Sequence, residues 1–146
     1  MLFRSDVSAA ALAVATSNAQ RHSVADRITF LEGDLFGPVA GQTFDLIVSN
    51  PPYIADAEFP SLEVGVRDFE PRTALDGGPD GLGFYRRIAA DVVNHLVPGG
   101  FLMVEIGATQ EAAVRELLAA RLELGPTLRD AAGRPRVVTA TRRPGS

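Results

Sequence analysis

Cysteine is absent from the 146 residues, and histidine occurs only twice, as His22 and His95. The first absence excludes disulfides and thiolate metal sites, and the second leaves little imidazole for metal binding or acid–base work. Lysine is also missing, so all fourteen basic residues are arginine. We read that as coding bias, although arginine suits carboxylate and phosphate contacts. No apolar run approaches the twenty or so residues that a membrane helix needs. Met1-Leu2-Phe3-Arg4-Ser5-Asp6 is too short and too polar to read as a secretory leader. The formal net charge is −4, which argues against nonspecific nucleic-acid binding. What remains is a chain that is 46% hydrophobic and 22% charged, the balance of one globular domain with a core, and cytoplasm is its default compartment. Oligomeric state is not legible from the residues.

The most informative residues are Asn50-Pro51-Pro52-Tyr53, directly behind the apolar run Phe44-Asp45-Leu46-Ile47-Val48-Ser49. A residue before proline is pushed out of the helical region, and here Asn50 and Pro51 both precede one. Neither proline carries a backbone N–H. The turn is therefore stiff and extended, and it offers carbonyl acceptors with few competing donors, to which Asn50 adds a side-chain acceptor. An amide or exocyclic NH2 is a poor nucleophile because its lone pair is delocalised. Two acceptors gripping its hydrogens orient that lone pair and favour the positive charge that develops on nitrogen during alkylation. Tyr53 can cover the flat face of such a group. No general base is needed first, since the alkylated nitrogen is itself acidic. The competing reading is a plain loop, because Asn-Pro and Pro-Pro are common turn formers. Placement at the end of a strand favours the functional reading, since open α/β sheets bind ligands there.

Along the chain, Leu2 to Arg4 reads as a strand remnant, and Asp6 and Ser8 open an alanine-rich helix over Ala9 to Gln20. Arg27 to Leu31 alternates as a strand that Gly33-Asp34 stops, and Phe44 to Val48 is the next strand. Residues 54–83 read as a long irregular loop, of the kind that is usually functional. A helix is expected over Phe84 to Leu96, a buried strand over Phe101 to Ile106 and a helix over Gln110 to Leu122. An irregular piece and a final strand, Arg136 to Ala140, follow. The basic stretch Arg134 to Arg143 reads as a solvated edge strand. Glu105, at the end of an apolar strand, is expected either to face the site or to pair with an arginine such as Arg72, and pairing is the favoured reading. His95 reads as a surface or capping residue. Alternating strands and helices give an α/β fold with a mostly parallel sheet.

Several motifs together carry a resemblance. Asp6-Val7-Ser8, Gly33-Asp34-Leu35-Phe36, Ser49 to Ile54, Phe69-Glu70-Pro71-Arg72, Ala74 to Gly78, Asp80-Gly81-Leu82 and Glu105-Ile106-Gly107 resemble the release factor glutamine methyltransferases (the HemK or PrmC type). The resemblance covers nearly the whole chain. Asn-Pro-Pro-Tyr is shared with DNA adenine methyltransferases, and Phe69 to Leu82 is the more specific part. The resemblance implies a Rossmann-like class I methyltransferase fold with S-adenosylmethionine as methyl donor. It implies that Asp6 binds the ribose hydroxyls, that Asp34 accepts from the adenine amino group, and that Leu35 lies along the adenine. Asn50 is then shared between cofactor and substrate, and Pro51, Pro52 and Tyr53 complete a pocket for the substrate amide. Read from the residues alone, Asp6 is an N-cap and Asp34 a turn residue.

The implied substrate is the glutamine of the Gly-Gly-Gln motif in peptide chain release factors, which makes a release factor the protein partner. Two alternatives stay open: another amino substrate such as DNA adenine, and a catalytically silent module. The family also carries a helical N-terminal domain, a first strand and a Gly-x-Gly-x-Gly loop. Residues 1–146 are expected to be a partial catalytic domain without them, with a gap in mid-sheet between the strands at Leu2 and Phe44, or pairing of those strands with each other or with another chain, and weak or absent cofactor binding by these residues alone.

Overall fold

A computed structural model describes residues 1–145, which form two compact units, Met1–Gln42 and Thr43 onward. The first unit is a strand–helix–strand crossover. Strands β1 (Leu2–Asp6) and β2 (Ile28–Glu32) pair in parallel from Leu2 opposite Ile28 to Asp6 opposite Glu32, and helix α1 (Ala9–Arg21) connects them. Alanine-rich sequence favours the helix. The Ser8 hydroxyl accepts from the Ala11 N–H at 3.1 Å and caps it. Leu12 and Ala19 form its buried face.

The second unit holds a four-stranded sheet in the order β3 (Phe44–Ser49), β4 (Leu96–Glu105), β6 (Pro135–Arg142), β5 (Leu122–Arg129). β3 and β4 are parallel, and β6 is antiparallel to both β4 and β5. Among the described strands of this sheet, β6 alone runs against its fellows, so the sheet is mostly parallel as expected. Short helices α2 (Val64–Phe69) and α3 (Arg72–Leu75) precede α4 (Gly83–Asp91) and α5 (Glu111–Ala119). Leu102, Val104 and Ile106 alternate into the interior with Ile88, Val92, Val114, Leu118 and Val138. The opposite face of β3 and β4 keeps Leu46, Val48 and Phe101 exposed. Among the described residues no helix is long and apolar enough to cross a membrane.

Several expectations are corrected. Residues 54–83 contain a 3-10 stretch over Asp56–Ser61 as well as α2 and α3. Prolines and glycines keep each piece too short to show a helical period. The helix expected to reach Leu96 ends at Asp91, continues as a 3-10 turn over Val92–His95, and yields Leu96 to β4. Pro98-Gly99-Gly100 is then a bulge inside β4, since Phe44 pairs with Leu96 and Leu46 with Phe101. A Cβ on Gly100 would lie 2.9 Å from the Val97 carbonyl oxygen.

The piece after Leu122 is not irregular but is β5, and Leu122 begins it rather than ending a helix. Gly125-Pro126 hides the strand, because the register shifts between Leu124 and Thr127. The Thr139 hydroxyl donates to the Pro126 carbonyl at 2.7 Å, in space that a Cβ on Gly125 would occupy. β6 lies between β4 and β5 with Val138, Thr139 and Ala140 buried, so it is not an edge strand. His95 is buried rather than superficial.

Candidate active site

Within the first unit, the strand ends gather the residues expected to hold a nucleoside. Asp6 closes β1 and is half-buried. Its Oδ1 accepts from the Ser8 N–H at 3.0 Å and its Oδ2 pairs with Arg4 at 3.2 Å. The N-cap reading therefore belongs to Ser8, while Asp6 stiffens the turn before it. Arg4 is exposed, and each carboxylate oxygen retains a lone pair for a further donor.

The Asp6 carbonyl accepts from the Gly33 N–H at 2.9 Å, which ties the end of β1 to the turn after β2. A Cβ on Gly33 would sit 2.4 Å from Pro38 Cγ, so only glycine fits. Leu35 follows at φ +45°, a left-handed conformation that a leucine adopts at a cost of about 1–2 kcal/mol. Asp34 is exposed and Leu35 half-buried, and the Asp34 carbonyl accepts from the Gly37 N–H at 3.0 Å. Asp6, Asp34 and Leu35 thus lie on one corner, tied by the Gly33 N–H to Asp6 carbonyl bond.

Within the second unit, β3 ends at Ser49 and the chain enters Asn50-Pro51-Pro52-Tyr53. Pro51 is buried, Pro52 and Tyr53 are half-buried, and Asn50 is exposed. Among the described residues, no hydrogen bond engages the Asn50 side-chain amide or the Pro51 and Pro52 carbonyls. These three acceptors carry no protein donor among the described residues, Asn50 and Pro52 being accessible and Pro51 buried. The next two carbonyls are engaged: Tyr53 O accepts from the Gln110 side chain at 3.0 Å, and Ile54 O from the Gly77 N–H at 2.9 Å. Acceptors available to a ligand therefore stop at Pro52.

Glycines press against the far end of this loop. A Cβ on Gly77 would lie 2.8 Å from Tyr53 Cα, one on Gly81 2.5 Å from Tyr53 O, and one on Gly107 3.3 Å from Tyr53 Cδ2. Ile54 also forms a bridge with Asp76, and its N–H donates to Leu75 O at 2.9 Å. Burial raises the Tyr53 hydroxyl above its usual range, the Glu105 carboxylate adds to this, and Arg136 opposes it. Tyr85 is buried beneath, and its hydroxyl donates to the Glu105 carbonyl at 2.8 Å. Burial first, and then Tyr53 and Glu105, push the Tyr85 hydroxyl well above its usual range.

The expected pairing of Glu105 with Arg72 does not occur. Arg72 pairs with Asp76 at 3.3 Å and Asp56 at 3.8 Å, and lies over the Phe59 ring. Both carboxylates are closer to it along the chain, so the arginine is satisfied within the 54–83 segment. Gln110, which the sequence reading treats only as a helix start, is bonded to the loop through Tyr53 O. A glutamine at an N-cap is itself a signal, since Ser, Thr, Asp and Asn are preferred there.

Residues 2–64 match the model of the methyltransferase small domain family. A release factor glutamine methyltransferase of Moorella thermoacetica is 45% identical over 144 residues, covering 97% of this chain and 50% of the relative. The chain is a relative of the release factor glutamine methyltransferases. Another of them, from Geobacter sulfurreducens, is 54% identical over 104 residues, covering 71% of this chain and 36% of its own. The chain therefore spans about half the length, or less, of these curated relatives. A crystal structure of a methyltransferase from Pyrococcus furiosus superposes with a TM-score of 0.70 at 18% identity, covering 97% of this chain and 62% of that one. That likeness establishes the Rossmann-like class I methyltransferase fold.

Proposed function

We propose that this chain carries the methyl-transfer chemistry of a release factor glutamine methyltransferase. In this reading it uses S-adenosylmethionine to methylate the side-chain amide nitrogen of the Gly-Gly-Gln glutamine in a peptide chain release factor, in the cytoplasm. The observation that carries the reading is the open acceptor set at the end of β3. Asn50 Oδ1 and the Pro51 and Pro52 carbonyls belong to a proline-stiffened turn, with no protein donor on them among the described residues. A primary amide presents two hydrogens in one plane, and two acceptors at fixed positions hold that plane. The same acceptors gain strength as positive charge develops on the nitrogen. Half-buried Tyr53, whose hydroxyl stays protonated at neutral pH, serves as a neutral wall that excludes water.

The corner at Asp6, Asp34 and Leu35 fits the nucleoside end of the cofactor. Asp6 keeps lone pairs for the ribose hydroxyls, and carboxylate–hydroxyl bonds are of the stronger, charge-assisted kind. Asp34 places a carboxylate at this turn for an exocyclic amine, and Leu35 an apolar surface beside it. When bound, the cofactor supplies an electrophilic methyl carbon. The protein's own work is to bind, orient and desolvate, and the methylated nitrogen then sheds its proton without a dedicated base.

Incubation with radiolabelled S-adenosylmethionine, a release factor and a competing DNA duplex tests the reading. Label is expected on the release factor alone, and peptide mapping is expected to place it on the Gly-Gly-Gln glutamine. Label on the duplex, or on a different residue, would refute the assignment of substrate.

A further inference from the structure

Gln110 joins three stretches of chain that are far apart in sequence. Its Oε1 accepts from the Gly107 N–H at 2.9 Å, and its Nε2 donates to Tyr53 O at 3.0 Å and to Gly81 O at 3.2 Å. Both amide hydrogens and one acceptor site are thus used. The neighbours are cut to fit this amide. A Cβ on Gly81 would lie 2.7 Å from Gln110 Nε2, and one on Gly107 2.9 Å from Gln110 Oε1.

We propose that Gln110 is a positioning residue for the methyl-accepting amide. By holding the Tyr53 carbonyl, it fixes the Tyr53–Ile54 peptide plane, and so anchors the chain immediately after Pro52 and sets the direction of the Asn50, Pro51 and Pro52 acceptors. The proposal rests on the function proposed above, and it adds a specific division of labour. The Tyr53 carbonyl belongs to Gln110 and is withheld from substrate, so the substrate amide meets only the three open acceptors. Glutamine alone among the side chains of this length offers two donors and one acceptor in one plane, as these three partners demand. A carboxylate of the same shape at position 110 would still accept from Gly107 but would repel both carbonyls.

The test compares Gln110→Glu with the unaltered chain in steady-state methyl transfer to a release factor across a pH series. At neutral pH, kcat is expected to fall about tenfold to a hundredfold, in line with an ångström-scale misplacement. The cofactor dissociation constant, measured separately by calorimetry, is expected to change far less than kcat, because Asp6, Asp34 and Leu35 are untouched. Acidification is expected to recover part of kcat in the variant only. Protonating the introduced carboxyl restores one donor, and its burial between carbonyls raises the pH at which this occurs. A purely structural role would give no such acid-side recovery, and an unchanged kcat would overturn the proposal.

A second measurement separates this proposal from the reading beneath it. Amide hydrogen exchange at Ile54 and Gly77, whose N–H groups complete the bridge beside Tyr53, is expected to quicken at least about tenfold in Gln110→Glu. Unchanged exchange would overturn the clamp even if the unaltered chain transfers methyl groups. Quickened exchange with no transfer by the unaltered chain would instead refute the functional reading and leave the clamp standing.

Discussion

Gly81→Ala is expected to destabilise the second unit far more than Gly78→Ala, although both glycines are left-handed, at φ +72° and +87°. At Gly78 nothing lies within 4 Å of an added Cβ, so only the backbone term of about 1 kcal/mol applies. At Gly81 the methyl group would meet Tyr53 O at 2.5 Å and Gln110 Nε2 at 2.7 Å. Relief requires the Tyr53 backbone carbonyl to shift and Gln110 to withdraw, which loses the bonds of Gln110 to Tyr53 O and Gly81 O at 3.0 and 3.2 Å. At about 1 kcal/mol net for each bond, the total reaches about 3 kcal/mol. That is a large share of the 5–15 kcal/mol typical of a folded domain. Urea unfolding followed by tyrosine emission reads the effect locally, because tryptophan is absent and both tyrosines, Tyr53 and Tyr85, belong to this cluster. Equal losses in the two variants, within about 0.5 kcal/mol, would refute the clamp as a tightly fitted contact.

The β5–β6 connection is expected to be acid-sensitive. The Arg134 backbone N–H, together with the Arg136 and Arg134 side chains and the Ala132 N–H, holds the Asp130 carboxyl down to about 2, below the usual value near 4. A depressed folded value means that this carboxylate supports the fold above about pH 4. The support is lost as pH falls through about 2. Carboxyl resonances followed by NMR should show that midpoint, and Asp130→Asn should lose the acid limb of hairpin stability; a midpoint near 4 would contradict the arrangement. Tyr85→Phe removes the hydroxyl that donates to the Glu105 carbonyl and is expected to cost about 1 kcal/mol in urea unfolding. No loss would mean that the bond is not formed in solution.

The parts of the fold legible in the sequence were those whose pattern was local. Ser8 ahead of an alanine-rich run, the apolar stretch ending at Ser49, and the 3.6-residue spacing of Val114 and Leu118 all correspond to elements of the structure. β5 was illegible because Gly125-Pro126 reads as a breaker. The bulge that accommodates it depends on Thr139, a partner across the sheet rather than along the chain. The stop of α4 at Asp91 was hidden for the same reason, since Val92 and Leu96 keep apolar spacing through a 3-10 turn.

At the site, the stiffness of Asn50-Pro51-Pro52 followed from proline chemistry alone, and the open acceptors are a property of that stretch. Which carbonyl is already occupied was not legible. It depends on Gln110, 57 residues beyond Tyr53, and on glycines whose purpose appears only when their neighbours are seen. The pairing of Glu105 with Arg72 failed because nearer carboxylates at Asp56 and Asp76 take the arginine first.

The central claim is that side-chain and backbone oxygens at the end of β3 grip a planar amide while it is methylated. Single-turnover transfer to a release factor by Asn50→Ala measures it most directly. Losing one such acceptor is expected to slow the chemical step by about a hundredfold to a thousandfold. A variant that methylates the glutamine as fast as the unaltered chain would contradict the account.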